Sequence, residues 1–136
     1  MRSTIRIQAP VAMITILLLE DDPDMQRLIG YKLERAGFHV VPVNDGPAAM
    51  SQARLNPPDV AILDVRMPRL GGLDVCRELR ADPATATVPI IMLTAPAHSQ
   101  AADAPRTAGA DEYLSDPFSA RELRLRVEAL LARVRV

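Results

Sequence analysis

The chain has 136 residues, about half of them apolar, which suits one compact domain with its own hydrophobic core. Its formal net charge of −1 excludes the strongly basic surface that is typical of nucleic-acid-binding domains. A single cysteine, Cys76, excludes an internal disulfide and fits a reducing compartment, and its amphipathic surroundings predict a packing role.

The N-terminal stretch has two interpretations. Arg2 and Arg6 precede a mostly apolar run over 9–19, which resembles the start of a secretory signal. The run is too short to span a bilayer and passes directly into acidic residues, which favours a buried strand instead. We therefore expect residues 1–12 to be a disordered extension or a misassigned start, followed by one cytoplasmic domain over 13–136.

Short apolar strands alternate with amphipathic helices along the rest of the chain. The first strand covers 14–19 and ends on the acids Glu20, Asp21 and Asp22. Asp22 is expected to cap a helix that ends at Gly37. In chain order, the remaining predicted elements are a strand over 38–43, a helix over 46–55, a strand over 60–63 that ends on Asp64, a helix over 72–80, a strand over 88–93 that closes on Thr94, a helix over about 99–108, a strand over 112–115 and a last helix capped by Ser119.

Five strands alternating with five helices predict an α/β fold with right-handed crossovers on a parallel sheet. The natural topology is a doubly wound (βα)5, flavodoxin-like arrangement with strand order 2-1-3-4-5. Its switch point lies between the first and third strands, where ligands gather beyond the carboxyl ends of such sheets. Glu20, Asp21 and Asp64 are expected to meet there.

Three carboxylates at adjacent strand ends repel one another unless a cation lies among them. All-oxygen ligands suit Mg²⁺, whereas His39, His98 and Cys76 are too scattered to form a zinc site. Beside Mg²⁺, Asp64 would be placed to act as a nucleophile toward a phosphoryl group.

Several stretches together resemble the receiver domain of two-component response regulators. They are Ile16–Pro23, Pro58–Pro68, Gly71–Asp74, Pro89–Ala95, Gly109–Leu114 and Pro117–Phe118. The resemblance implies that Asp64 is the phospho-acceptor and that Mg²⁺ is bound by Asp21, by Glu20 through water, by Asp64 and by the main-chain carbonyl of Arg66. It also implies that Thr94 and Tyr113 form a switch pair that rearranges on phosphorylation.

One departure from the family lies beside the predicted site. The family has a lysine before the proline that follows the fifth strand, and this chain has Asp116 there. Lys32, in the first helix, is the only lysine in the sequence. Arg66 and Arg69, in the loop after Asp64, are candidate replacement cations, although solvated loop residues are the simpler interpretation. The resemblance also implies a cis bond before Pro117.

A second departure concerns dimerisation. Pro105 falls inside the predicted 99–108 helix and would remove a backbone hydrogen bond there. Relatives that dimerise use this helix with the following strand and helix, and Asp111, Glu122 and Arg126 match part of that face. The helix lacks the basic residues of those relatives, so this route to a dimer is doubtful. Glu122 and Arg126 are also spaced to pair with each other within one helix.

The leading hypothesis is a non-enzymatic phospho-receiver that takes phosphate from a histidine kinase or phosphotransfer protein and switches a face for an output domain or protein target. The alternative is a phosphorylation-independent interaction module of the same fold. A phosphohydrolase would need further catalytic segments, and a flavin protein would need a phosphate-binding loop where this chain has acids. Direct nucleic-acid binding and membrane association are not expected.

Overall fold

In the computed structural model, the described residues are 14–65, 67, 71–94, 108–115 and 118–134. They form five strands and four helices, in close agreement with the predicted elements. In chain order these are β1 Thr15–Leu19, α1 Pro23–Arg35, β2 His39–Val43, α2 Gly46–Leu55, β3 Val60–Asp64, α3 Gly72–Ala81, β4 Ile90–Thr94, β5 Glu112–Ser115 and α4 Ala120–Val134. The predicted 99–108 helix lies outside the described residues except for Ala108, as does the predicted N-terminal extension.

The five strands are parallel and follow the order β2-β1-β3-β4-β5, which confirms the predicted topology. Every residue of β3 is buried, as expected for a central strand covered on both faces. Successive side chains of β1 alternate between two core clusters. Ile16 and Leu18 pack with α1 and α4, whereas Leu17 and Leu19 pack with α2 and α3.

The helix ends follow from local chemistry. The Asp22 carboxylate accepts hydrogen bonds from the backbone of Asp24 and Met25, which caps α1 as predicted. Gly37 ends that helix at a φ of 101°, a conformation that costs glycine little. The Ser119 hydroxyl accepts from the Glu122 backbone at the start of α4.

Arg80 at the end of α3 connects this helix to the strands that follow it. Its guanidinium donates to the carbonyls of Ala86, Val88 and Gly109 and to the Asp111 carboxylate, over 2.6–2.9 Å. The same carboxylate accepts from the backbone of Ile90. This network holds the segments entering β4 and β5 in register. Among the described residues, no helix combines the length and apolar character needed to cross a bilayer.

Candidate functional site

Three carboxylates meet at the carboxyl ends of β1 and β3. The register pairs Leu19 with Leu63, so the next residues, Glu20 and Asp64, follow side by side. One oxygen from each of Glu20, Asp21 and Asp64 lies within 4.8 Å of the others. Glu20 and Asp64 are only 4% and 3% exposed, whereas Asp21 is exposed to solvent. The sheet therefore brings the three acids together at the predicted switch point.

Burial, together with the neighbouring carboxylates, changes the protonation of Glu20. Burial raises the pKa of Glu20 from 4.5 to about 7, and the charge and hydrogen bond of Asp64 and the charge of Asp21 act in the same direction. A hydrogen bond of 3.1 Å from the Asp22 backbone amide opposes this shift by stabilising the ionised form. Without a cation, Glu20 is therefore mostly protonated at mildly acidic pH and about half protonated near pH 7.

The stability of the metal-free protein is expected to fall as pH rises from about 5 to about 8. Folded Glu20 binds its proton more tightly than an unfolded glutamate does, so protonation of this side chain stabilises the folded state. This contribution is complete below the unfolded pKa of 4.5 and is lost as the pH rises through the folded pKa of about 7. At about 1.4 kcal/mol per pKa unit, this difference corresponds to up to about 3 kcal/mol.

Urea unfolding of the wild type and Glu20→Gln at the two ends of that pH range measures this effect. Glutamine does not titrate, so the variant is expected to have a much flatter pH dependence. If the free energy of unfolding of Glu20→Gln depended equally steeply on pH, groups other than Glu20 would be responsible for the effect.

The chemistry of the cluster fits a hard divalent cation. All three groups offer oxygen, and two are buried carboxylates that need a positive partner when both are ionised. Two oxygens bound to one Mg²⁺ lie about 3 Å apart when adjacent and about 4.2 Å apart when opposite. The observed limit of 4.8 Å is close to this range, so small side-chain rotations would suffice to bring the oxygens onto one ion.

Gln26 supports this edge of the sheet and was not identified from the sequence. Its side-chain amide donates to the carbonyls of Glu20 and Val43 and to the Asn44 side chain, over 2.9–3.1 Å. These bonds connect the ends of β1 and β2 to α1. Nothing in the sequence near Gln26 indicates such long-range partners, so only the folded arrangement reveals them.

The backbone of Thr94 lies beside the acidic cluster. Leu93 pairs with Asp64 in the sheet, and Thr94 is the next residue on β4. Tyr113 pairs with Met92 and is half-buried against the core cluster on the α2 and α3 side. Cys76 is fully buried in the same cluster, and burial raises the pKa of its thiol, which agrees with the predicted packing role.

The residues predicted for a dimer face have contacts within the chain. Asp111 pairs with Arg80, and Arg126 contacts Glu112 at 2.9 Å and Glu122 at 4.0 Å. The last contact is the intrahelical pair that the spacing allowed. The dimer face stays a prediction, and Arg66, Asp116 and Pro117 lie outside the described residues.

Comparison with known proteins gives one consistent family. Residues 16–128 match the model of the response regulator receiver domain. The chain is 39% identical over 118 residues to the alkaline phosphatase synthesis transcriptional regulatory protein PhoP of Bacillus subtilis, covering 87% of this chain and 48% of that protein. It is 40% identical over 118 residues to the DNA-binding dual master transcriptional regulator RpaA of Synechocystis, covering 87% and 49%. The chain thus spans about half the length of these relatives.

Solved structures agree with this assignment. A putative response regulator from Chloroflexus aurantiacus aligns with a TM-score of 0.82 at 38% identity, covering 87% of this chain and 97% of that one. The receiver domain of the sensor histidine kinase PA1611 from Pseudomonas aeruginosa aligns with a TM-score of 0.81 at 36% identity, with the same coverage, and holds a magnesium ion in its active-site cleft. The chain therefore belongs to the family of response regulator receiver domains, which act in two-component signalling.

Proposed function

We propose that Asp64 accepts a phosphoryl group from the phosphohistidine of a kinase or phosphotransfer protein, in a reaction that requires Mg²⁺. The convergence of Glu20, Asp21 and Asp64 within 4.8 Å supports this role most strongly. Asp64 ends a fully buried strand, so its backbone is held firmly at the edge where ligands of such sheets bind. The site combines a fixed nucleophile with two further acids that can hold a cation beside it.

In the proposed reaction, a carboxylate oxygen of Asp64 forms a bond to phosphorus while the phosphorus–nitrogen bond to the donor imidazole breaks. The imidazole nitrogen keeps the electron pair of that bond and takes a proton from solvent. The proposed partners of the cation are Asp21, Asp64, the main-chain carbonyl of Arg66 and, through water, Glu20. When bound, Mg²⁺ neutralises charge on the phosphoryl oxygens.

The proposed output depends on β4 and β5. Thr94 follows the residue that pairs with Asp64, so its hydroxyl is the proposed donor to a phosphoryl oxygen. Tyr113, on the neighbouring strand, is the proposed second member of the switch. A shift of both would change the surface that a downstream output domain or protein target recognises.

Incubation with acetyl phosphate and Mg²⁺, followed by intact mass measurement, tests the proposal. The wild type is expected to gain the mass of one phosphoryl group with Mg²⁺ and to gain none after chelation of divalent ions. A chain that binds Mg²⁺ but gains no mass would instead favour the phosphorylation-independent interaction module.

A further inference from the structure

We propose that Gly72 is a positioning residue for Asp64, because the first turn of α3 contacts the backbone of the phospho-acceptor too closely for any side chain at position 72. This inference rests on the proposed function of Asp64. It assigns to α3 a role beyond packing: the helix start supports the strand end that carries the nucleophile.

The contact is one of backbone against backbone. A Cβ atom added to Gly72 would lie 2.4 Å from the carbonyl oxygen of Asp64, 2.8 Å from its carbonyl carbon and 3.2 Å from the amide nitrogen of Val65. Contacts of a Cβ below 3.0 Å are essentially absent from real structures. Peptide atoms cannot rotate away as a flexible side chain can, so any larger residue must displace either α3 or the Asp64 peptide.

Neither side of this contact can yield easily. α3 carries Val75, Cys76 and Leu79, which are fully buried, so retreat of the helix would open gaps in a close-packed core. On the other side, the Val65 amide donates to the Leu93 carbonyl at 2.9 Å, which continues the pairing of β3 with β4. Part of the displacement would therefore fall on Asp64.

A small displacement of Asp64 would matter because Mg²⁺ requires nearly ideal octahedral geometry with short ligand distances. One oxygen from each carboxylate lies within 4.8 Å of the others, slightly more than the about 4.2 Å that one ion bridges, so the side chains must close in on the ion. A displaced Asp64 backbone would move its carboxylate relative to Glu20 and Asp21, so the three oxygens would no longer close onto one ion with that geometry. Gly72 therefore acts on the cation site through Asp64 without touching the ion.

Gly72→Ala tests this inference, with Gly30→Ala and Val75→Ala as controls. A Cβ at Gly30, inside α1, would meet only Val40 at 3.9 Å, so that variant adds the same methyl group without a clash. Val75→Ala loosens the packing of α3 but leaves the contact between position 72 and Asp64 unchanged. Urea unfolding gives the stability of each variant, and calorimetric titration gives its affinity for Mg²⁺. Sucrose, which is excluded from the protein surface and so favours burial, keeps weakened variants folded during the titration.

Gly72→Ala is expected to bind Mg²⁺ about tenfold more weakly or worse, whereas Gly30→Ala and Val75→Ala keep the wild-type affinity. The inference is overturned if folded Gly72→Ala binds Mg²⁺ like the wild type, or if Val75→Ala loses as much affinity. A Gly72→Ala chain that does not fold under these conditions also overturns it, because glycine would then be needed for the fold and not for placing Asp64. A wild type that binds no Mg²⁺ would contradict the proposed function instead.

Discussion

Replacing Asp64 with asparagine is expected to abolish the phosphoryl mass gain from acetyl phosphate while leaving the fold intact. An amide has nearly the same shape as a carboxylate but lacks a nucleophilic anionic oxygen, so phosphoryl transfer has no acceptor. Loss of one of three clustered negative charges should also lower the pKa of Glu20, because Asp64 contributes to its upward shift. Intact mass spectrometry measures the first effect.

Asp22→Asn is the matched control for this prediction. Asp22 lies one residue beyond the acidic pair, and its carboxylate caps α1. Asparagine caps helices about as well as aspartate, so this variant should keep both its stability and its labelling. Equal labelling of Asp64→Asn and the wild type would show that another residue accepts the phosphoryl group.

Because position 116 is an aspartate, we expect phosphorylation of the chain to be weak or short-lived. A lysine at the same position is expected to increase it. Two unit charges about 4 Å apart at an effective dielectric constant near 20 interact by roughly 4 kcal/mol. Replacing an anion with a cation at position 116 is therefore expected to change the interaction energy with the phosphoryl group strongly. The shorter reach of aspartate reduces its repulsion, and we expect Asp116→Lys to increase labelling by acetyl phosphate about tenfold or more, which is roughly 1.4 kcal/mol.

Asp116→Asn separates the two parts of this effect. Asparagine removes the negative charge without supplying a cation, so its labelling should fall between those of the wild type and Asp116→Lys. Time courses of the mass gain, and of its decay after acetyl phosphate is removed, give both rates. Identical time courses for all three proteins would mean that the charge at position 116 does not influence the phosphoryl group.

The strands and their order could be predicted because periodicity and strand-end chemistry are local signals. Val60–Asp64 is an apolar run that ends on an acid. In a chain whose strands and helices alternate, a short run of this kind indicates a buried strand. The topology then placed Glu20 beside Asp64 by the geometry of parallel sheets alone. Fold class and the acidic cluster were thus accessible before any coordinates.

Residues whose roles depend on distant partners could not be predicted in this way. Gln26 bonds to Val43, and Arg80 bonds to Gly109, across separations of 17 and 29 residues. Gly72 looks like an ordinary loop or helix-start glycine until the position of the Asp64 carbonyl is known. The raised pKa of Glu20 likewise depends on the depth of its burial, which no local pattern of residues specifies.

The proposed phosphoryl transfer depends most on the binding of one divalent cation by Glu20, Asp21 and Asp64 in a single pocket. Titration of isotopically labelled protein with a small amount of paramagnetic Mn²⁺ locates such a site directly by nuclear magnetic resonance. We predict that the amide signals of residues 20–22 and 64–65 broaden first and recover when excess Mg²⁺ displaces the Mn²⁺. Broadening centred on other acidic residues, or no recovery with Mg²⁺, would contradict a magnesium site formed by these three carboxylates.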